Sequence, residues 1–365
     1  MEHNIIIAGG GTGGHLFPAL AIGEEIQLRY PKANIHYMGS IYGLEAKVFP
    51  IKDVWHTLLP IRGFQRSFNI NSFGKNILLP YRILKSFLQV KRFFDEFSPD
   101  IIIGTGGYGS AIPLLISCQK KRNIKIILQE QNSFPGITTR FFAKNAQKIC
   151  VAFKDANKIL GDKTFLTGNP IRKNITNGNA KIGFHDFKLS EERRTIFLFG
   201  GSQGSQYLNK IISQIVTKIA NTGIQILWQT GNKEYTQYQH QITKRISIIP
   251  FIHNMANAYA ISDLIICRSG ALTLAEITVC GKPAILIPFS HAAGDHQKKN
   301  ADSLGDAGAA TVLLESTLNS NHLYHTIIKL LNNKNKINQM STFSKKLGLP
   351  QATNDIVNYI MEENN

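Results

Sequence analysis

Ile5-Ile6-Ile7-Ala8-Gly9-Gly10-Gly11-Thr12-Gly13-Gly14-His15 is the stretch on which the reading of this chain turns. An apolar run of strand length passes straight into a glycine-rich turn, and a helix is expected to open at its end. A strand that turns into a helix through glycines leaves backbone N–H groups and the positive helix end facing one point, a ready site for an anion. The pattern returns at Gly104-Thr105-Gly106-Gly107-Tyr108-Gly109 and at Gly200-Gly201-Ser202-Gln203-Gly204, each entered from an apolar run. One such loop says little, because any tight βα turn calls for glycine. Their recurrence in both halves of the chain points to phosphate chemistry.

Outward from these loops, apolar runs of strand length alternate with helix-length amphipathic stretches. Ile5–Ala8, Ile35–Met38, Ile101–Ile103, Ile126–Leu128 and Ile149–Val151 read as buried strands of a first series. Thr195–Phe199, Ile224–Trp228, Leu264–Cys267 and Ala284–Ile287 form a second. Buried runs separated by helices imply parallel sheets covered on both faces. The fold class is therefore α/β, with two doubly wound, Rossmann-like domains expected to face each other across a cleft. Between the series, Gly168-Asn169-Pro170 through Asn177-Gly178-Asn179 is rich in turn formers and poor in apolar residues, the best linker candidate. It divides the chain into domains at 1–166 and 167–349. In such folds ligands bind outside the carboxyl ends of the strands, which would gather the glycine loops around the cleft.

A chain of 365 residues suits two cores better than one. It contains no convincing transmembrane run and its first residues lack the features of a signal peptide, so a cytoplasmic location is expected. Cys118, Cys150, Cys267 and Cys280 form no C-x-x-C pair and lie in or beside apolar runs, which fits reduced, buried thiols better than disulfides or zinc ligands. The formal net charge of +17 suggests an acidic partner: nucleic acid, anionic lipid or a phosphorylated substrate. Part of that excess, as in Lys120-Lys121-Arg122 and Lys334-Asn335-Lys336, is equally read as solvated surface.

The first loop is neither the Rossmann fingerprint, for want of a placed acid after the second strand, nor a P-loop, for want of Gly-Lys-Ser/Thr. His15 stands where loop becomes helix and can serve as a general base, or simply as a polar cap. At Cys267-Arg268-Ser269-Gly270-Ala271-Leu272-Thr273-Leu274-Ala275-Glu276 a strand turns into a helix whose free amides at Leu272 and Thr273 suit a phosphate. Glu276, more than a turn into that helix, could accept two ribose hydroxyls or merely complement the helix dipole. Pro288 through Gln297 and Gln129-Glu130-Gln131-Asn132 offer amide and imidazole groups for sugar hydroxyls, or are solvated loops. No Asp-x-Asp pair is present, so no obligatory metal is expected to hold a nucleotide-sugar diphosphate. Helix ends and an arginine, with Arg172 the candidate, would neutralise it. From Lys75 to Phe97, Ile77, Leu78, Leu79, Tyr81, Ile83, Leu84, Phe87, Leu88, Phe93 and Phe94 are more apolar than one buried stripe requires and are interleaved with Lys75, Arg82, Lys85, Lys91 and Arg92. This pattern suits a helix on an anionic bilayer surface, or one wedged in the fold with its lysines snorkelling outward.

Gly9 through Ala19, Gly104 through Tyr108, Gln129 through Asn132, Gly168 through Arg172, Gly200 through Gly204 and Arg268 through Thr273 together closely resemble the MurG family. These are bacterial UDP-N-acetylglucosamine transferases that turn lipid I into lipid II in peptidoglycan synthesis. The similarity runs in register along nearly the whole chain.

The resemblance implies the GT-B architecture, an N-terminal domain for the acceptor, a C-terminal domain for the donor, and a last helix, about 350–365, returning to the first domain. Donor contacts carry over to Thr12, Gly13, Gly14, Asn132, Arg172, Ser202, Ile252, the run Ala271, Leu272, Thr273, Leu274, Ala275 and Glu276, and Gln297. Glu276 would take the ribose hydroxyls and Ile252 would meet uracil through its backbone. His15 matches the histidine proposed as catalytic base. The acceptor's diphosphate is expected at Gly104, Thr105, Gly106, Gly107 and Tyr108. The implied partners are lipid I and an anionic phospholipid surface on the cytoplasmic face of the plasma membrane, held peripherally through Lys75 to Phe97, with no nucleic acid. Gly204-Ser205-Gln206 departs from the family's more usual Gly-Ala-Arg and removes a cation beside the diphosphate. The competing readings are a related enzyme glycosylating another lipid or a small acceptor, and a basic nucleic-acid-binding protein, which would leave the glycine loops without a purpose.

Overall fold

Ile5, Ile6, Ile7 and Ala8 have no solvent exposure, as a strand covered on both faces demands. In the computed structural model, which describes residues 3–63, 77–201 and 203–362, they lie in β1 (Asn4–Gly9) of a seven-stranded parallel sheet. Its other strands are β2 (Asn34–Ser40), β3 (His56–Leu59), β4 (Ile101–Gly106), β5 (Lys125–Glu130), β6 (Lys148–Val151) and β7 (Thr164–Leu166). The spatial order is β3-β2-β1-β4-β5-β6-β7. Alternation along β1 feeds two cores. Ile5 and Ile7 pack with Leu16, Ile22 and Ile26 of the helix Gly13–Arg29, whereas Ile6 and Ala8 pack with Val90, Phe94 and Leu114 on the opposite face.

The helix Ala352–Met361 belongs to this same unit, which comprises Met1–Pro170 and Gln351–Asn365. Ile356, Val357 and Ile360 complete the core on the Ile5 face, and Arg29 donates to Asn358 Oδ1 at 2.7 Å.

Ile171–Pro350 forms the second unit, a six-stranded parallel sheet in the order β10-β9-β8-β11-β12-β13. These strands are β8 (Thr195–Phe199), β9 (Gln225–Gln229), β10 (Ile246–Ile249), β11 (Leu264–Cys267), β12 (Ala284–Leu286) and β13 (Ala310–Val312). Ile196 and Leu198 face a core with Trp228 and Ile266, while Phe197 and Phe199 turn to Tyr259 on the other side. In each unit the strand order reverses beside the first strand, between β1 and β4 and between β8 and β11. Those are the switch points at which doubly wound folds leave a crevice, and the glycine loops follow β1, β4 and β8.

The thiols divide. Cys150 and Cys267 are buried, Cys118 and Cys280 only partly covered, and all are free. No helix among the described residues is long and apolar enough to cross a membrane.

Lys75 lies outside the described residues; the helix that follows spans Leu79–Phe97. Ser86, Val90 and Phe94, one residue per turn, are its only buried side chains. Tyr81, Leu84 and Leu88 make a second stripe that is 63%, 58% and 57% exposed, and Lys85, Lys91 and Arg92 are exposed beside it. The wedged alternative would have covered that second stripe.

His36 of β2 is buried, its ring centroid 4.1 Å from that of Phe93, with Nε2 2.8 Å from Thr57 Oγ1. Burial, and then the neighbouring His56, lower its pKa from 6.5 to about 4. The unfolded chain therefore takes a proton near 6.5 that the folded chain accepts only near 4. This contribution is intact above the upper value and is lost as pH falls through the window, to a limit of about 3 kcal/mol. Urea unfolding across that range should show wild-type stability declining relative to His36→Leu by this amount; parallel pH profiles would contradict it.

Candidate functional site

The first unit builds its site from two loops at the switch point. β1 and β4 pair as far as Gly9 and Gly106, and a Cβ on Gly107, at φ 76°, would overlap the Gly10 carbonyl oxygen. Glycine is needed there for backbone to approach backbone. The first loop is also occupied. Glu45, fully buried, accepts from the Gly11 amide at 3.1 and 2.9 Å and from the Ser40 amide at 2.7 Å. Its carboxylate sits where side chains on Gly10 or Gly43 would be. At this loop the chain thus places its own carboxylate on the Gly11 amide.

His15 lies in the first turn of the helix Gly13–Arg29. Its Nδ1 is 2.9 Å from the Thr105 carbonyl oxygen and 2.8 Å from Gln131 Oε1. Both partners are acceptors, since Gln131 Nε2 donates to the same carbonyl at 2.8 Å. In the neutral ring Nδ1 therefore carries the proton and Nε2 the lone pair. Thr105 Oγ1 donates back to the His15 carbonyl at 2.9 Å.

Gly104 and Thr105 are buried inside β4, with Gly104 against Leu114 and Leu128. Of the loop assigned to the acceptor diphosphate, only Gly107 and Tyr108 are partly exposed. Gln129, Glu130 and Gln131 are buried too, so this stretch is no solvated loop. Gln129 donates to Asn169 Oδ1 at 3.1 Å, and Asn169 donates to the Gln131 carbonyl at 3.0 Å. Glu130 fixes Asn132 by accepting from its amide at 3.0 Å and from its Nδ2 at 3.2 Å. Thr12 is exposed just before the helix, and Gly13 and Gly14 form its first turn.

In the second unit a cavity of about 790 Å³ opens at the switch point, lined by Gly200, Gly201, Gly204, Arg268, Gly270, Thr273 and Gln297 among others. The helix Ala271–Val279 starts on it, and the amides of Leu272 and Thr273 precede its first backbone bond, from Leu274 to Gly270. Glu276, on this helix with Leu274 and Ala275, is 7% exposed. Arg172 Nε lies 3.3 Å from Glu276 Oε1, and the Tyr259 hydroxyl donates to Oε2 at 3.0 Å. Burial pushes the Glu276 carboxyl above its ordinary value, opposed by Arg172 and by the Tyr259 hydrogen bond. The groups expected on diphosphate and on ribose thus hold each other.

The Ile252 amide donates to Gln229 Oε1 at 2.8 Å, so a base would meet its carbonyl. Gln297 Oε1 accepts from the Phe289 amide at 3.0 Å. Ser202 lies outside the described residues. Arg268, 8% exposed, donates to the Ile287 and Pro288 carbonyls at 3.0 and 3.2 Å and pairs with Glu315. It also reaches Ser205 Oγ at 3.2 and 3.0 Å. Among the described residues, no cluster of His, Cys, Asp and Glu could hold a metal ion.

Glu45 and Tyr259 were not found from sequence. An acid opening a short helix, Glu45–Ile51, and a tyrosine in an apolar helix carry no local sign of what they touch.

Two parallel α/β units with glycine turns at their switch points make a tandem of doubly wound, Rossmann-like folds. Residues 5–151 match the glycosyltransferase family 28 N-terminal domain, and residues 195–356 match the family's C-terminal domain. The chain is 39% identical over 366 aligned positions to the UDP-N-acetylglucosamine–N-acetylmuramyl-(pentapeptide) pyrophosphoryl-undecaprenol N-acetylglucosamine transferase of Finegoldia magna, covering 97% of this chain and 96% of that protein. It is 36% identical to the transferase of the same name from Christiangramia forsetii, over 98% of this chain and 96% of the relative. The crystal structure of Acinetobacter baumannii MurG superposes with a TM-score of 0.78 at 25% identity, over 99% of this chain and 100% of that one. The chain belongs to the MurG branch of glycosyltransferase family 28.

Removing the Glu45 carboxylate strands the part-buried Gly11 amide and the buried Ser40 amide. Glu45→Ala is expected to lower unfolding stability by about 2–4 kcal/mol, and Glu45→Gln, which keeps one acceptor oxygen, by roughly half that. Denaturant titration checks this, and an unchanged midpoint for Glu45→Ala would refute the role.

Proposed function

We infer that this chain transfers N-acetylglucosamine from UDP-N-acetylglucosamine to the C4 hydroxyl of the N-acetylmuramyl group of lipid I, with inversion to a β-1,4 linkage, giving lipid II. The observation that carries the reading is likeness over the whole length to transferases bearing that name, with both units matched.

The residues supply the steps. His15 Nε2 takes the proton from the C4 hydroxyl as that oxygen bonds to the anomeric carbon and the bond to UDP breaks. Thr105 and Gln131 support this role by holding the proton on Nδ1. Charge developing on the departing UDP meets the start of the helix Ala271–Val279 and Arg172, dipole and cation in place of a metal. Glu276 takes the ribose hydroxyls, the Ile252 carbonyl the uracil, and Gln297 and Asn132 the sugar. Gly107 and Tyr108 are the exposed part of the loop offered to the acceptor's diphosphate. The lipid tail keeps the acceptor in the bilayer, so the enzyme works peripherally on the cytoplasmic membrane face. The exposed Tyr81, Leu84 and Leu88 stripe with its flanking cations supports a bilayer contact there.

Radiolabel transfer to a short-chain lipid I analogue, with a diacylglycerol as control acceptor, tests the activity. With lipid I, His15→Ala should lower kcat on the order of a hundredfold or more, and Glu276→Ala should chiefly raise KM for the donor. Near-normal turnover of His15→Ala at saturation would remove it as the base, and preference for the diacylglycerol would overturn the acceptor. In flotation with phosphatidylglycerol vesicles, Leu84→Ser/Leu88→Ser should lose most of the bound fraction; undiminished binding would place the contact elsewhere.

A further inference from the structure

We propose that Tyr259 is a positioning residue for donor recognition: its hydroxyl holds the Glu276 carboxylate in the orientation that receives the ribose of the nucleotide. The proposal rests on the reading of Glu276 as the ribose acceptor.

Glu276 has two partners of unequal permanence. Arg172 is half exposed, and its guanidinium approaches Oε1 from the solvent side at 3.3 Å. A single exposed cation at that distance is screened and free to turn toward another anion. Tyr259 is 1% exposed and meets Oε2 at 3.0 Å from within the fold. Its ring is wedged edge-on against Phe197 at 5.9 Å and Phe199 at 6.4 Å, both on β8, the strand that feeds the third glycine loop. The short helix that carries it, Met255–Ala260, is fixed at its start by the Asn254 side chain accepting from the Asn257 amide, and by Asn257 Oδ1 accepting from the Asn179 amide at 2.9 Å.

Packing alone does not explain the hydroxyl. Aromatic neighbours would be satisfied by phenylalanine, and burying a phenol is costly unless it finds a partner. Among the described residues, the partner its hydroxyl finds is Glu276. A carboxylate offers about four lone-pair sites. Tyr259 takes one on Oε2, while the rest stay available to a pair of vicinal hydroxyls once Arg172 turns away. A bound ribose then meets a carboxylate already oriented, so the side-chain freedom of Glu276 is restricted before the nucleotide arrives.

The test measures ribose recognition directly. Titration calorimetry of the full chain with UDP and with 2′,3′-dideoxy-UDP gives the affinity ratio due to the hydroxyls. Wild type should prefer UDP by at least about tenfold. Tyr259→Phe should bring that ratio close to one while dideoxy-UDP binds within about twofold of wild type. Glu276→Asp, one methylene shorter and unable to keep both partners, should lose the ratio in the same way without disturbing the aromatic packing, so a poorly folded Tyr259→Phe would not shield the proposal. A wild-type ratio in either variant, or equal weakening of both nucleotides by Tyr259→Phe, overturns it. Glu276→Ala separates the two levels: retention of the full ratio there refutes the ribose reading itself, whereas its loss there with retention in Tyr259→Phe refutes only the positioning role.

Discussion

At the β1/β4 switch point two backbones come closer than any side chain would allow. Gly107 lies against the Gly10 carbonyl, Gly9 against the Thr105 side chain, and Gly106 against the His15 ring. Much of the first unit's site depends on that approach. Because the second loop is pressed onto the first, the Thr105 carbonyl reaches His15 Nδ1 and the Thr105 hydroxyl reaches the His15 carbonyl. A Cβ at Gly107 would push the loops apart and release the imidazole from the partner that fixes its tautomer. The glycines therefore set the state of a side chain as well as the path of the chain.

The second unit solves the same geometric problem with the opposite charge. Gly204, at φ 78°, lies against the Thr230 carbonyl, and the loops around it are tied together by Arg268, which reaches Ser205, Ile287, Pro288 and Glu315 at once. In the first unit the tie is Glu45, an acid. The Glu45 carboxylate is satisfied by amides, whereas the Arg268 guanidinium is paired with Glu315, which lines the same cavity. The two glycine loops look alike in sequence and differ in the charge that braces them.

How far all this could be read in advance follows from what each residue touches. Strands buried on both faces announce themselves as apolar runs, so β1, β2, β4, β5, β6, β8, β9, β11 and β12 were legible. The unread strands β3, β7, β10 and β13 are the edges of the two sheets, where one side lacks a neighbour and the apolar run shortens or breaks. Glycines could be placed because a strand-to-helix turn constrains them locally. What fills the turn could not, since Glu45 comes 34 residues after Gly11 and Tyr259 17 residues before its partner. The stretch Gln129–Gln131 misleads for a related reason. Polar side chains normally mark a solvated loop, but here they satisfy one another and Asn169 in the interior.

A glycine loop is persuasive as an anion site because its amides point at one place, but amides in a folded protein rarely wait unpartnered. In this chain the Gly11 amide has an internal carboxylate, and the carbonyls of Gly107 and Gly201 accept from Ser110 and Gln229 side chains. The groups held in place around these loops are the His15 imidazole, the first turn of the helix after Gly270, and the Glu276 carboxylate between a solvent-facing arginine and a buried phenol. Such a division permits specificity. Amides bind any oxyanion, whereas an oriented imidazole selects a hydroxyl to deprotonate, and an oriented carboxylate rejects a nucleotide that cannot donate to it.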